Sequence, residues 1–87
     1  MDDYNTIKAH HFKVVKGVFR IGAKEYYWHI PESLRAEKIK KGDMLLAATE
    51  FGDRKVVVVD VLNEPINEDP EKRRKNVVRK LNPEDNI

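Results

Sequence analysis

Residues 40–62 read Lys40-Lys41-Gly42-Asp43, then Met44-Leu45-Leu46-Ala47-Ala48-Thr49, then Glu50-Phe51-Gly52-Asp53-Arg54, then Lys55-Val56-Val57-Val58-Val59-Asp60-Val61-Leu62. Four consecutive valines disfavour a helix, because each β-branched side chain loses χ1 freedom against the preceding turn. The stretch therefore predicts a β-hairpin with its loop at residues 50–54, where Gly52-Asp53 supplies the positive φ of a tight connection. In the second strand Val57, Val59 and Val61 share one face, and Val56, Val58, Asp60 and Leu62 share the other. A strand apolar on both faces belongs in the middle of a closed or two-sided structure.

Upstream, residues 7–15 alternate as a strand does, with His10, Phe12 and Val14 on one parity and Ala9, His11, Lys13 and Val15 on the other. Gly17 suggests a bend, Val18, Phe19 and Ile21 continue the strand, and Gly22-Ala23 reads as a turn. Residues 24–30 form a second strand that places Tyr26, Trp28 and Ile30 on one face, and Pro31 ends it because proline cannot donate to a ladder. Residues 31–38 connect through one helical turn, with Leu34 and Ile39 docking it on the sheet. Downstream, residues 63–69 read as a loop. Asp69 is a suitable N-cap and Pro70 a suitable first residue for a helix over 70–81, which Asn82-Pro83 stops. On that helix Arg74, Val77, Val78 and Leu81 fall in one stripe.

These elements predict a mainly β chain: a small, strongly bent barrel of about five strands with one helical-turn connector and a C-terminal α-helix. Short strands and a tight last hairpin favour an SH3-like barrel, with an OB-like barrel as the alternative. Residues 1–62 form the barrel, 63–69 a loop, 70–81 the basic helix packed on or beside it, and 82–87 a tail.

At 87 residues there is room for one hydrophobic core. Without cysteine, neither a disulfide framework nor a thiolate zinc site is available, which leans towards the cytoplasm. Met1-Asp2-Asp3-Tyr4-Asn5 is acidic and polar, unlike a secretory signal, and no apolar run reaches the roughly 20 residues of a bilayer crossing. A soluble cytoplasmic protein without membrane contact is the expectation. Seventeen Lys and Arg nearly cancel fifteen Asp and Glu, so net charge does not announce a nucleic-acid binder. Distribution says more: residues 72–80 carry Lys72, Arg73, Arg74, Lys75, Arg79 and Lys80 and no acid.

Catalysis finds little support. Ser33, the one serine, lacks the glycine-flanked turn of a hydrolase nucleophile, and Gly17, Gly22, Gly42 and Gly52 are too scattered to cradle phosphate. Adjacent His10 and His11 point to opposite faces of a strand, and no carboxylate stands at a ligand spacing from them or from His29, so no metal and no cofactor is expected. Trp28 reads as core, while Tyr27 on the opposite face is a candidate contact. Cations recur beside the turns: Lys40 and Lys41 before the hairpin, Arg54 and Lys55 at its tip. Asp43, Glu50 and Asp53 sit among them, so a solvated mixed-charge surface is the competing interpretation. The expected binding surface comprises Tyr27, Lys40, Lys41, Arg54, Lys55, Lys72, Arg73, Lys75, Arg79 and Lys80, facing DNA or RNA. An adaptor that engages another protein is the alternative, as a monomer or weak homodimer.

From Tyr27 onward the order aromatic, Ile30-Pro31, Leu34, Ile39, Lys41-Gly42-Asp43, apolar strand, Phe51-Gly52, Arg54-Lys55, valine strand resembles uncharacterised small proteins of Gram-positive bacteria and their mobile elements. It is more weakly similar to the N-terminal DNA-binding barrel of the primosomal replication-restart helicase, with Glu50 in place of a proline. The first resemblance implies an SH3-like barrel and the second a DNA-binding barrel.

Overall fold

A computed structural model describes residues 4–65, 68, 69, 71 and 73–81. Five strands and one helical turn follow in order: β1 (Thr6–Val15), β2 (Val18–His29), α1 (Glu32–Arg35), β3 (Met44–Thr49), β4 (Gly52–Leu62) and β5 (Val77–Lys80). They form one antiparallel sheet of order β2-β1-β4-β3-β5, so the valine strand is its centre. Val56 and Val58 face inward beside Ile7, Ala9, Trp28, Ile30, Ile39, Leu45, Ala47 and Val77, all buried. Val57 and Val59 are half-buried on the other face. Val59 is skipped in the pairing with β1, where Lys8 faces Asp60 and Ala9 faces Val58. This bulge reverses the alternation, which is why Val61 also packs against the core.

The sheet curls without closing by a ladder. At one corner its two outer strands meet: His29 bridges Asn76 in parallel, and the His29 N–H donates to the Lys75 carbonyl at 2.9 Å. The Ala48 N–H donates to the Asn76 carbonyl at 3.0 Å, which ties the same segment to β3. Leu34 of α1 packs against the core, with Pro31 at the N-cap of that turn.

The structure corrects three expectations. First, the described part of 70–81 is not a helix. Asp69 does accept a hydrogen bond from the Glu71 N–H through its side chain at 3.0 Å, but the capping signal leads to a short turn, and Val77–Lys80 becomes a strand. The free edge of β3 offers unpaired backbone groups beside the buried Leu45 and Ala47, and β5 satisfies them. An isolated helix of that length is marginal, and Lys75 and Arg79 would repel at i,i+4. Pro70, Lys72 and the tail 82–87 lie outside the described residues.

Second, the first chain reversal falls at Lys16-Gly17 rather than Gly22-Ala23. Val15 pairs with Val18, and Lys16 and Gly17 take φ 52° and 78°, the doubly positive pattern of a two-residue hairpin turn. Gly22 and Ala23 instead sit inside β2, where the register shifts opposite His11. Third, the β3–β4 loop is only Glu50-Phe51. Thr49 pairs with Gly52 and Ala48 with Asp53, and only Gly52 carries a positive φ there, 95°.

Replacing β5 residues separates a strand from a helix, because Val77 and Val78 share one stripe of the helix but opposite faces of the strand. Val77→Ala is expected to lower unfolding free energy by about 2 kcal/mol, while Val78→Ala stays within about 0.5 kcal/mol. Urea denaturation of both variants measures the difference; equal losses would contradict β5.

Candidate functional site

The β1–β2 and β3–β4 hairpins pair through β1 and β4 only as far as His11 opposite Val56. Beyond that point β1 and β4 are no longer paired, and an open groove of about 600 Å³ lies beside it, between Glu25–Trp28 of β2 on one side and the β3–β4 tip on the other. Trp28 forms its floor, 4% exposed, with its Nε1–H donating to the Ala48 carbonyl at 2.8 Å. That bond satisfies the only polar atom of a buried indole and fixes β2 to β3 across the groove. His11 meets two rings edge-on, Tyr26 at 5.1 Å and Trp28 at 5.3 Å between centroids. A cluster of three aromatic planes results, with Tyr26 partly open to solvent.

The hairpin tip forms one wall. The Phe51 N–H donates to Thr49 Oγ1 at 3.1 Å, and that hydroxyl donates to the Gly52 carbonyl at 2.6 Å. Side-chain bonding of this kind holds the loop in shape, and it presents Phe51 with 79% of its surface exposed. Arg54 follows on the same wall because Arg54 and Val56 share the inward parity of β4. Opposite stands Tyr27, covered by the Arg74 guanidinium 4.5 Å from the ring centroid, with Lys75 beside it. Arg74 also grips Glu64 through both guanidinium branches, so its charge is already met. Arg54 and Lys75 have no ion pair among the described residues. Glu25 and Glu50 line the rim, and Glu25 is 3.8 Å from His10 Nε2.

Three of the expected surface residues, Tyr27, Arg54 and Lys75, therefore meet in this groove. The other described ones do not. Lys40 and Lys41 lie at the far end of β3, about 20 Å from the hairpin tip at roughly 3.3 Å per residue. There Asp43 accepts from the Lys40 N–H at 3.0 Å and pairs with Lys80 at 3.2 Å, so Lys80 closes a turn. Lys55 and Arg79 both stand opposite Leu46, on the face turned away from the core. Arg73 is exposed near His29, and Lys72 lies outside the described residues. Sequence reasoning missed His11, Tyr26, Phe51 and Arg74. Of these Phe51 carried a usable signal, a large aromatic inside a polar hairpin loop; the rest needed the fold.

Burial, and then the positive charge of Arg54, holds the His11 imidazole below its ordinary value of 6.5. Burial followed by Arg35 does the same to His29, with Glu64 opposing. For each group the unfolded chain binds protons first, so the stability present above the ordinary value is lost as pH falls through the lowered folded value. Chemical denaturation between pH 7.5 and pH 5 is expected to show this loss, and Arg54→Gln should move the His11 imidazole resonance titration upward. An unshifted titration would remove Arg54 as its neighbour in solution.

No helix among the described residues is long and apolar enough to cross a membrane. No curated protein and no solved structure matches the chain, so the expected similarities to known SH3-like barrels and to the helicase barrel find no support there. A family profile, described as a family of unknown function, matches residues 2–83. The expectation of an uncharacterised family is met at that level, and the chain belongs to the family of unknown function DUF5839.

Proposed function

We propose that the protein binds nucleic acid, taking a single-stranded segment into the groove. The observation that carries this reading is the conjunction of exposed Phe51 and Tyr26 with Arg54 and Lys75, two cations without ion-pair partners among the described residues. Bases stack on aromatic faces whatever their sequence, and cations along the same track neutralise the phosphates. The role is binding, with no catalysis and no cofactor, in a cytoplasmic protein acting as a monomer or weak homodimer. The curled sheet is read here as a small barrel of the SH3-like kind, supported by the corner where His29 meets Asn76. A bacterial or mobile-element origin draws only on the resemblance of residues 27–62.

A second reading, an adaptor that takes a segment of another protein, draws on Glu25 and Glu50 at the rim, which favour a cationic ligand. Fluorescence anisotropy with labelled oligonucleotides of about 12 nucleotides, near the span of one small binding fold, separates the two. Single-stranded DNA or RNA is expected to bind with salt-dependent affinity. Phe51→Ala should weaken it by about 1–3 kcal/mol, and Arg54→Gln should reduce the salt slope by about 0.7. Absence of binding at low salt, or binding that neither substitution changes, would leave the adaptor as the better account.

A further inference from the structure

The β1–β2 hairpin extends beyond the sheet. From Phe12 to Val15 on β1 and from Val18 to Ile21 on β2, the strands pair with each other and with no third strand among the described residues. Four residue pairs at roughly 3.3 Å per residue make an arm about 13 Å long. The arm carries Lys13, Lys16 and Arg20, and residues 12–24 contain no acid. Lys13 stands directly opposite Arg20, an unfavourable like-charge pair, and neither has a carboxylate partner among the described residues. Lys13 shares the parity of His11 along β1, so this cationic pair continues the groove-side face outward. Val15 and Val18 lie beyond it at the turn, about half exposed. The opposite face is apolar, Phe12 with Ile21 and Val14 with Phe19, and Phe19 and Ile21 are 52% and 60% exposed.

We propose that this arm is a β-ribbon that enters the major groove of B-form duplex DNA. The inference rests on the nucleic-acid reading and adds to it a second element with a different form of ligand. A two-stranded ribbon fits the major groove, roughly 12 Å wide and 8.5 Å deep, and the arm is long enough to reach its floor. Lys13, Lys16 and Arg20 meet phosphates, which relieves their mutual repulsion, while apolar side chains near the turn meet base edges and thymine methyl groups. A-form RNA, whose major groove is deep and narrow, does not admit such a ribbon.

The test compares a double variant of the arm, Lys13→Gln with Arg20→Gln, and a groove variant, Phe51→Ala with Arg54→Gln. Each is titrated against a 20-base-pair DNA duplex, the same duplex as RNA, and a single-stranded oligothymidylate. The arm variant is expected to lose DNA-duplex affinity about tenfold or more and to reduce its salt slope by about 1.8, two phosphates at 0.9 each. Its oligothymidylate affinity should stay within about twofold, since base stacking in the groove is untouched. Its thermal midpoint should hold or rise, because the substituted residues are exposed and repel one another. Unchanged DNA-duplex binding would overturn the arm and leave the groove reading standing. Equal loss on duplex RNA would overturn the major-groove geometry. A groove variant that keeps oligothymidylate affinity, beside an arm variant that loses the duplex, would remove the groove reading and support the arm.

Discussion

Pairing of β4 along both of its edges is the constraint on which the rest of the molecule depends. With β1 on one side and β3 on the other, its backbone groups are satisfied within the sheet while Val56 and Val58 are withdrawn from water. Burying a valine completely is worth roughly 1.5–3 kcal/mol, a large share of what holds so small a domain folded. The bulge at Val59 lets the same strand bend, so Val61 can reach the core that the other valines began. A sheet curved in this way has one concave face, and the core fills it.

Where that central pairing stops, the candidate site begins. β1 and β4 stop pairing beyond His11 and Val56, and the Trp28 bond to Ala48 ties β2 to β3 next to the tip of the second hairpin. The groove lies beside the point where that pairing stops, and the arm runs beyond it. The floor is rigid because its indole is buried and bonded, whereas Phe51 is displayed by the local hydrogen bonds of a two-residue loop. Side chains on such a loop need no core of their own to stay presented.

Charge is organised by pairing rather than by total. A net formal charge of +2 hides cations that have been used internally, such as Arg74 on Glu64 and Lys80 on Asp43. It also hides Arg54, Lys75, Lys13 and Arg20, which no carboxylate of the described residues neutralises. The second group lies along the groove and its outward extension. Association with an anion would act there at short range, where opposing charges elsewhere on the surface are screened over about 8–10 Å.

The sequence by itself determined the β character, the central place of residues 56–59, the buried Trp28 and the single helical turn after Pro31. Each is dictated locally, by β-branching, alternation or a missing N–H. Tertiary structure decided the rest. Asp69 and Pro70 announce a helix, yet the open edge of β3 recruited Val77–Lys80 as a strand, since satisfying buried edge groups outweighs a weak propensity. Lys16 was as ready for the turn as Gly22-Ala23 only once Gly17 and the Val15–Val18 pair fixed the register. Of the nine described surface residues expected to act together, only Tyr27, Arg54 and Lys75 converge on the groove. The reason is that linear spacing sets which face of a strand a side chain takes, while the curl of the sheet sets which faces meet.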